Sequence, residues 1–134
     1  MKKFNKKMIY AGIVILLIGL TGLGIYLKQV SDYQHKVSEL SIQNVSLQSI
    51  KDGIYNGECD VNFIKAAVEV TIKDGKYARI ILVEHKNDRG QAAEAIIDEV
   101  MTQQSLKVDT VSGATNSSKV ILKAIETALT NESK

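Results

Sequence analysis

The stretch Ala67-Val68-Glu69-Val70-Thr71-Ile72-Lys73-Asp74-Gly75-Lys76-Tyr77-Ala78-Arg79-Ile80-Ile81-Leu82-Val83-Glu84 decides the fold. From Ala67 to Lys73 it alternates, with Val68, Val70 and Ile72 on one face and Glu69, Thr71 and Lys73 on the other, the period of a half-buried strand. Asp74-Gly75 comes next, a two-residue hairpin signal of type I′, because both residues tolerate the positive φ that turn demands. The returning strand runs from Lys76 to Glu84, with Ile80 and Leu82 on one face and Ile81 and Val83 on the other. Apolar residues on both faces predict cover on each side of this strand.

Outward from the hairpin the period changes. Upstream, Asp52-Gly53 opens a first strand through Tyr55, Gly57 and Cys59. Downstream, Gln91 to Gln104 places Ala93, Ile96, Ile97, Val100 and Met101 on one stripe of a helix. Ser117 to Leu129 does the same with Val120, Ile121, Ala124, Ile125, Ala128 and Leu129. Strand, strand, strand, helix, extended segment, helix reads as a small α+β domain over residues 50–134, an antiparallel meander packed with two helices. About 85 residues can bury a modest core.

Met8 to Leu27 is a run of 20 residues without a charge. Such a helix spans roughly 30 Å, the hydrocarbon thickness of a bilayer. Lys2, Lys3, Lys6 and Lys7 precede it, so residues 1–7 read as a basic cytoplasmic tail and the chain beyond Lys28 as extracytoplasmic. A cleaved signal peptide is the alternative, but the run is too long and lacks an Ala-x-Ala-like site. Residues 28–49 form a polar stalk with Val30, Tyr33, Val37 and Leu40 at helical spacing, fraying from Val45 onward.

Composition narrows the function. The formal net charge is +2, yet residues 28–134 sum to −2, so the basic excess belongs to the tail and a nucleic-acid partner is not expected. With 45% hydrophobic residues the chain is not disordered by composition. A single Cys excludes a disulfide framework, and the absence of proline excludes a Pro-rich stalk. No metal-ligand spacing occurs. His85 ends a strand with only a carboxylate beside it, which reads first as a structural or exposed histidine and second as a ligand contact. Cys59 reads as a buried small hydrophobe.

Between the two helices lies Asp109-Thr110-Val111-Ser112-Gly113-Ala114-Thr115-Asn116-Ser117-Ser118. Gly113 permits a tight turn, and the next helix directs free N–H groups and a partial positive charge toward it. Hydroxyls gather there from Ser112, Thr115, Ser117 and Ser118. Together these predict a phosphate site. The plain alternative is that Ser112 or Thr115 merely caps the helix.

At these residues the chain resembles the FMN-binding domain family, whose flavinylation motif is Asp-x-x-(Ser/Thr)-Gly-Ala-Thr. Asp109, Ser112, Gly113, Ala114 and Thr115 fill every fixed position, a chance event on the order of 10⁻⁴ at average residue usage. The Lys73-Asp74-Gly75-Lys76 hairpin and the Val83-Glu84-His85 strand end are also similar, and the resemblance covers residues 51–130. It implies FMN joined through its phosphate to the hydroxyl of Thr115 by a flavin transferase that uses FAD and a divalent metal. It further implies cofactor contacts from Ser112, Gly113, Ala114, Asn116 and Ser117, with Asp109 serving recognition or orientation. The face carrying Ile81 and Val83 is expected to shelter the flavin ring. Two segments depart from the family: Glu58 to Phe63 replaces a Gly-rich stretch, and Lys86-Asn87-Asp88-Arg89-Gly90 stands where relatives have a Glu-Thr pair and a Pro. The family is mainly bacterial, so the Asn44, Asn116 and Asn131 glycosylation triplets are chance matches. Larger relatives are subunits of sodium-pumping NADH:quinone reductase and Rnf-type complexes. The resulting expectation is a membrane-anchored electron carrier between a membrane redox donor and an extracytoplasmic acceptor. The alternatives are a non-covalent flavin reductase and an anchored interaction module without flavin.

Overall fold

The computed structural model describes residues 5–87 and 90–131. Lys2, Lys3, Asp88, Arg89 and the Glu132-Ser133 part of the last glycosylation triplet lie outside them. The chain divides into two compact units, residues 1–35 and 36–134.

In the first unit, α1 (Lys6–Glu39, its last residues belonging to the second unit) is one unbroken helix. At 1.5 Å per residue it is about 50 Å long, more than a bilayer's hydrocarbon core needs. Every residue from Met8 to Leu27 is exposed, and among the described residues this is the helix long and apolar enough to cross a membrane. The Thr21 hydroxyl donates to Leu17 O and Ile18 O at 3.0 and 2.9 Å, so its polarity is satisfied within the helix.

The second unit is built on β1 (Gly53–Asp60), β2 (Lys65–Lys73) and β3 (Lys76–Lys86), an antiparallel meander in the order β1-β2-β3. Asp74 and Gly75 have φ of 53° and 68°, the two positive values of a type I′ turn. α2 (Ile96–Gln103) and α3 (Thr115–Thr130) complete the α+β architecture. The expected first helix begins as a 3-10 turn, Gln91–Ala95, before becoming α2. α3 starts at Thr115, two residues earlier than its apolar stripe suggested.

Ala66, Val68, Val70 and Ile72 are buried in alternation along β2 and meet the α3 row Val120, Ile121, Ala124, Ile125, Ala128 and Leu129. Approach is closest at Gly57. A Cβ there would lie 2.2 Å from Ala124 O and 2.4 Å from Ala128 N, so helix backbone rests directly on strand backbone.

β3 is longer than β2 because it carries two bulges. Ala67 pairs with Glu84 but Val68 with Leu82, which leaves Val83 extra; Thr71 pairs with Arg79 but Ile72 with Tyr77, which leaves Ala78 extra. Each extra residue reverses the alternation beyond it. Ile80 and Leu82 face the core opposite Val70 and Val68, as expected. Beyond the bulges Tyr77 and His85 also turn inward, opposite Ile72 and Ala66. Plain alternation from Ile80 and Leu82 would have placed both outside. On the opposite face Ile54 and Val83 are 62% and 65% exposed, so among the described residues of the second unit the expected cover on both sides of β3 is present on one.

The Gln104 side chain zips the start of β3 onto the end of α2. Its Oε1 accepts from Tyr77 N–H at 2.8 Å, and its Nε2 donates to Tyr77 O and Met101 O. Residues 41–47 lie against the domain, well past the end of α1 at Glu39. Gln43 N–H donates to the Glu126 carboxylate, Lys123 donates to Ser41 O, and Asn44 Oδ1 accepts from Leu106 N–H. Leu47 is buried, so this segment packs as part of the second unit.

Candidate functional site

The segment between α2 and α3 turns sharply at Val111-Ser112-Gly113-Ala114. Ala114 N–H donates to Val111 O at 3.0 Å, and Gly113 takes φ +78° at the third position, the pattern of a type II turn. Nothing lies within 4 Å of a Cβ added at Gly113, so the outside of the turn is open space. Ser118 fixes the turn from beneath. Its buried hydroxyl accepts from Val111 N–H at 3.0 Å and donates to Ala114 O at 2.9 Å, tying the loop to the first turn of α3.

The N-cap of α3 is Ala114, which makes no side-chain cap hydrogen bond. Neither Ser112 nor Thr115 therefore serves as the cap, which sets aside the plain alternative. Alanine is among the poorest N-caps and forgoes about 1 kcal/mol relative to Ser or Thr. The positive end of α3 suits an anion. Thr115, the first helical residue, is exposed, as are Ser112, Gly113, Asn116 and Asp109. Ser117 and Ser118 are buried, at 2% and 0% exposure. Of the four hydroxyls expected to gather here, two face outward and two secure the loop and its neighbour.

That neighbour is the segment after β3. A Cβ at Gly90 would lie 1.8 Å from Ser117 Oγ, so Gly90 backbone packs directly on the first turn of α3. Gly90 N–H donates to Asn87 Oδ1 at 2.9 Å, and Asn87 Nδ2 donates to His85 O at 3.4 Å. His85, turned inward by the bulge at Val83, has only 3% of its side chain exposed. Its Nδ1 lies 3.0 Å from Glu94 Oε1 on the 3-10 turn that leads into α2. Its Nε2 is buried and has no hydrogen-bond partner among the described residues. Glu94 is the residue that sequence patterns missed, because it belongs to no stripe or motif; Asn87 and Gly90 lie in the segment that departs from the family pattern, but nothing in the sequence tied them to Ser117 or His85.

Elsewhere, Tyr77 Oη is likewise buried without a partner among the described residues, and burial pushes its phenol up to about 12. Cys59 is half-buried on β1, and its thiol is pushed up chiefly by burial, with Lys123 opposing and Asp60 and Glu126 reinforcing. No group of three or more His, Cys, Asp or Glu positioned for a metal occurs among the described residues.

Over 100 residues, 72% of the chain, it is 28% identical to an uncharacterized protein of Treponema pallidum (strain Nichols), and it spans 28% of that protein's length. No solved structure matches. The FMN-binding domain family matches residues 64–130, half of the chain, from the start of β2 to the end of α3 with the Thr115 turn inside. The chain belongs to the FMN-binding domain family, and FMN is its cofactor.

Proposed function

We propose that this protein is a membrane-tethered electron carrier whose FMN is joined through its phosphate to Oγ1 of Thr115. One observation carries the reading: Thr115 is an exposed hydroxyl at the first position of a helix whose N-cap is an alanine without a side-chain cap hydrogen bond. A phosphodiester on that oxygen would keep one negative charge, stabilised by the first-turn N–H groups and the helix dipole. The residues fit the group. The space outside Gly113 is open, and Ser118 holds the turn from the buried side. Ser112 and the backbone of Gly113 lie beside the phosphate in this reading, with Asn116 and Ser117 in the first turn and Asp109 exposed ahead of it for recognition by the transferase.

Attachment requires a flavin transferase, FAD as donor and a divalent metal. Oγ1 of Thr115 forms the new O–P bond while the bond to AMP breaks; AMP leaves, and the hydroxyl proton passes to a base of the transferase. Bound FMN supplies one- and two-electron redox chemistry, while the protein supplies position and electrostatics. Four lysines ahead of an uncharged run of 20 residues favour a cytoplasmic N-terminus and an extracytoplasmic flavin domain. There the domain would pass electrons from a membrane donor to an acceptor outside.

The test is a denaturing gel of the full chain produced with the transferase. Flavin fluorescence should travel with the wild-type band, persist in Thr115→Ser and vanish in Thr115→Ala. A wild-type band without fluorescence under those conditions refutes covalent attachment. Flavin recovered in the supernatant instead would leave a non-covalent FMN protein.

A further inference from the structure

We propose that His85 is a flavin-binding residue, its Nε2 accepting a hydrogen bond from an O–H or N–H of the FMN carried at Thr115. The inference rests on the reading of Thr115 as the attachment point, and its own support is separate. Nδ1 stands 3.0 Å from a Glu94 carboxylate oxygen. A carboxylate only accepts, so the proton between them sits on Nδ1, with Asn87 Nδ2 3.3 Å from the same nitrogen; with the ring's one proton there, Nε2 keeps a bare lone pair. That lone pair is buried and unpartnered among the described residues, in a side chain 97% removed from solvent. Buried polar atoms are nearly always satisfied, and an orphan within a prepared arrangement marks where a partner belongs.

The arrangement is prepared at three levels. The Val83 bulge turns the ring inward; without it His85 would face solvent and need no partner. Glu94 selects the tautomer, in the way carboxylates orient ligand-binding histidines. Asn87 and Gly90 tie the same segment to the first turn of α3, with Gly90 resting on Ser117, two residues beyond Thr115. The segment that carries the orphan nitrogen therefore reaches, through Gly90, the first turn of the helix that Thr115 begins. FMN offers two kinds of donor to a bare nitrogen: the ribityl hydroxyls, which begin next to the phosphate, and the ring N3–H. Among the described residues no group of three or more His, Cys, Asp or Glu could hold a metal, and the ligand complementary to a bare lone pair is a hydrogen-bond donor.

The experiment uses the full chain in detergent, labelled with ring-15N histidine, made with and without the transferase. The chain has two histidines, and His35→Gln leaves the His85 signals alone. Nδ1 should carry a proton in both forms, while the Nε2 resonance shifts on flavin loading in the direction of a hydrogen-bonded acceptor. A parallel measurement compares the rise in Tm that flavin confers on each variant relative to its own flavin-free form, so that general destabilisation cancels. That rise should fall in His85→Leu and return in His85→Gln, whose amide oxygen can accept. A 15N3-labelled flavin separates the donors: its N3 resonance differs between wild type and His85→Leu if the ring N–H is bound, and is unchanged if a ribityl hydroxyl is. A fluorescent wild-type band with an unmoved Nε2, or an equal rise in Tm in all three proteins, overturns the role of His85 alone. A chain that takes up no flavin removes this proposal together with the reading of Thr115.

Discussion

Gly57→Ala tests the packing on which the site depends. The new methyl would stand 2.2 Å from Ala124 O, 2.4 Å from Ala128 N and 2.7 Å from Ala128 Cα. Favourable carbon contacts begin near 3.5 Å, so α3 must lift from β1 by roughly 1 Å. Overpacking absorbed by side chains typically costs about 1–3 kcal/mol. Here backbone meets backbone, with no rotamer to yield, and lifting α3 loosens Val120, Ile121, Ala124, Ile125 and Leu129 together. The expected loss is therefore about 3 kcal/mol or more. For a domain of this size that lowers Tm by roughly 12 °C or more. Thermal unfolding of the full chain in detergent, followed by circular dichroism, reads the loss, and hydrogen exchange should localise it to α3 and β1. Ala128→Gly should not rescue the variant, because the clash is with the main chain. Gly113→Ala is the contrasting case: its methyl meets nothing within 4 Å, but φ of +78° strains any L side chain by about 1–2 kcal/mol. A Gly57→Ala chain melting within ~2 °C of wild type would refute the reasoning.

Buried polar groups give three further outcomes. Tyr77 titrates near 12 when folded and near 10 when unfolded, so the stability it contributes is complete below pH 10 and drains away as pH rises toward 12. The loss approaches roughly 3 kcal/mol and should be absent in Tyr77→Phe, which also removes a hydroxyl without a partner among the described residues; urea midpoints at about pH 8 and about pH 11.5 compare the two. Ser118→Ala strips the turn of both its ties, and urea unfolding should show a loss of about 1–3 kcal/mol, with faster amide exchange at Val111. Cys59, whose thiol burial pushes upward, should react with iodoacetamide more slowly at neutral pH than a free thiol and reach the free rate only in denaturant.

Periodicity located the hairpin, the helix stripes and the uncharged run because each repeats within a few residues, and tertiary packing obeyed those repeats. Gly57 could be named as part of the first strand, but its contact with Ala124 and Ala128 joins residues far apart in the chain. The motif from Asp109 to Thr115 was legible in full. Its division of labour was not: Ser118 turned out to brace the loop, Ser117 to meet Gly90, and Ala114 to occupy the cap expected of Ser112 or Thr115. All of these are small residues in one short run, so composition cannot tell an inward hydroxyl from an outward one.

The sequence by itself determined an antiparallel meander with two amphipathic helices, a helix able to span a bilayer, and a threonine at the head of the last helix. Tertiary structure alone decided which way His85 and Tyr77 face. Facing in a strand is a matter of parity, and a single extra residue reverses it. In β3 apolar side chains line both faces, so the pattern looks the same with or without the bulges at Ala78 and Val83. Pairing with β2 breaks that degeneracy, because Val68, Val70 and Ile72 are buried on one face only. It thereby sends an imidazole nitrogen and a phenol into the interior, where each stands without a partner among the described residues.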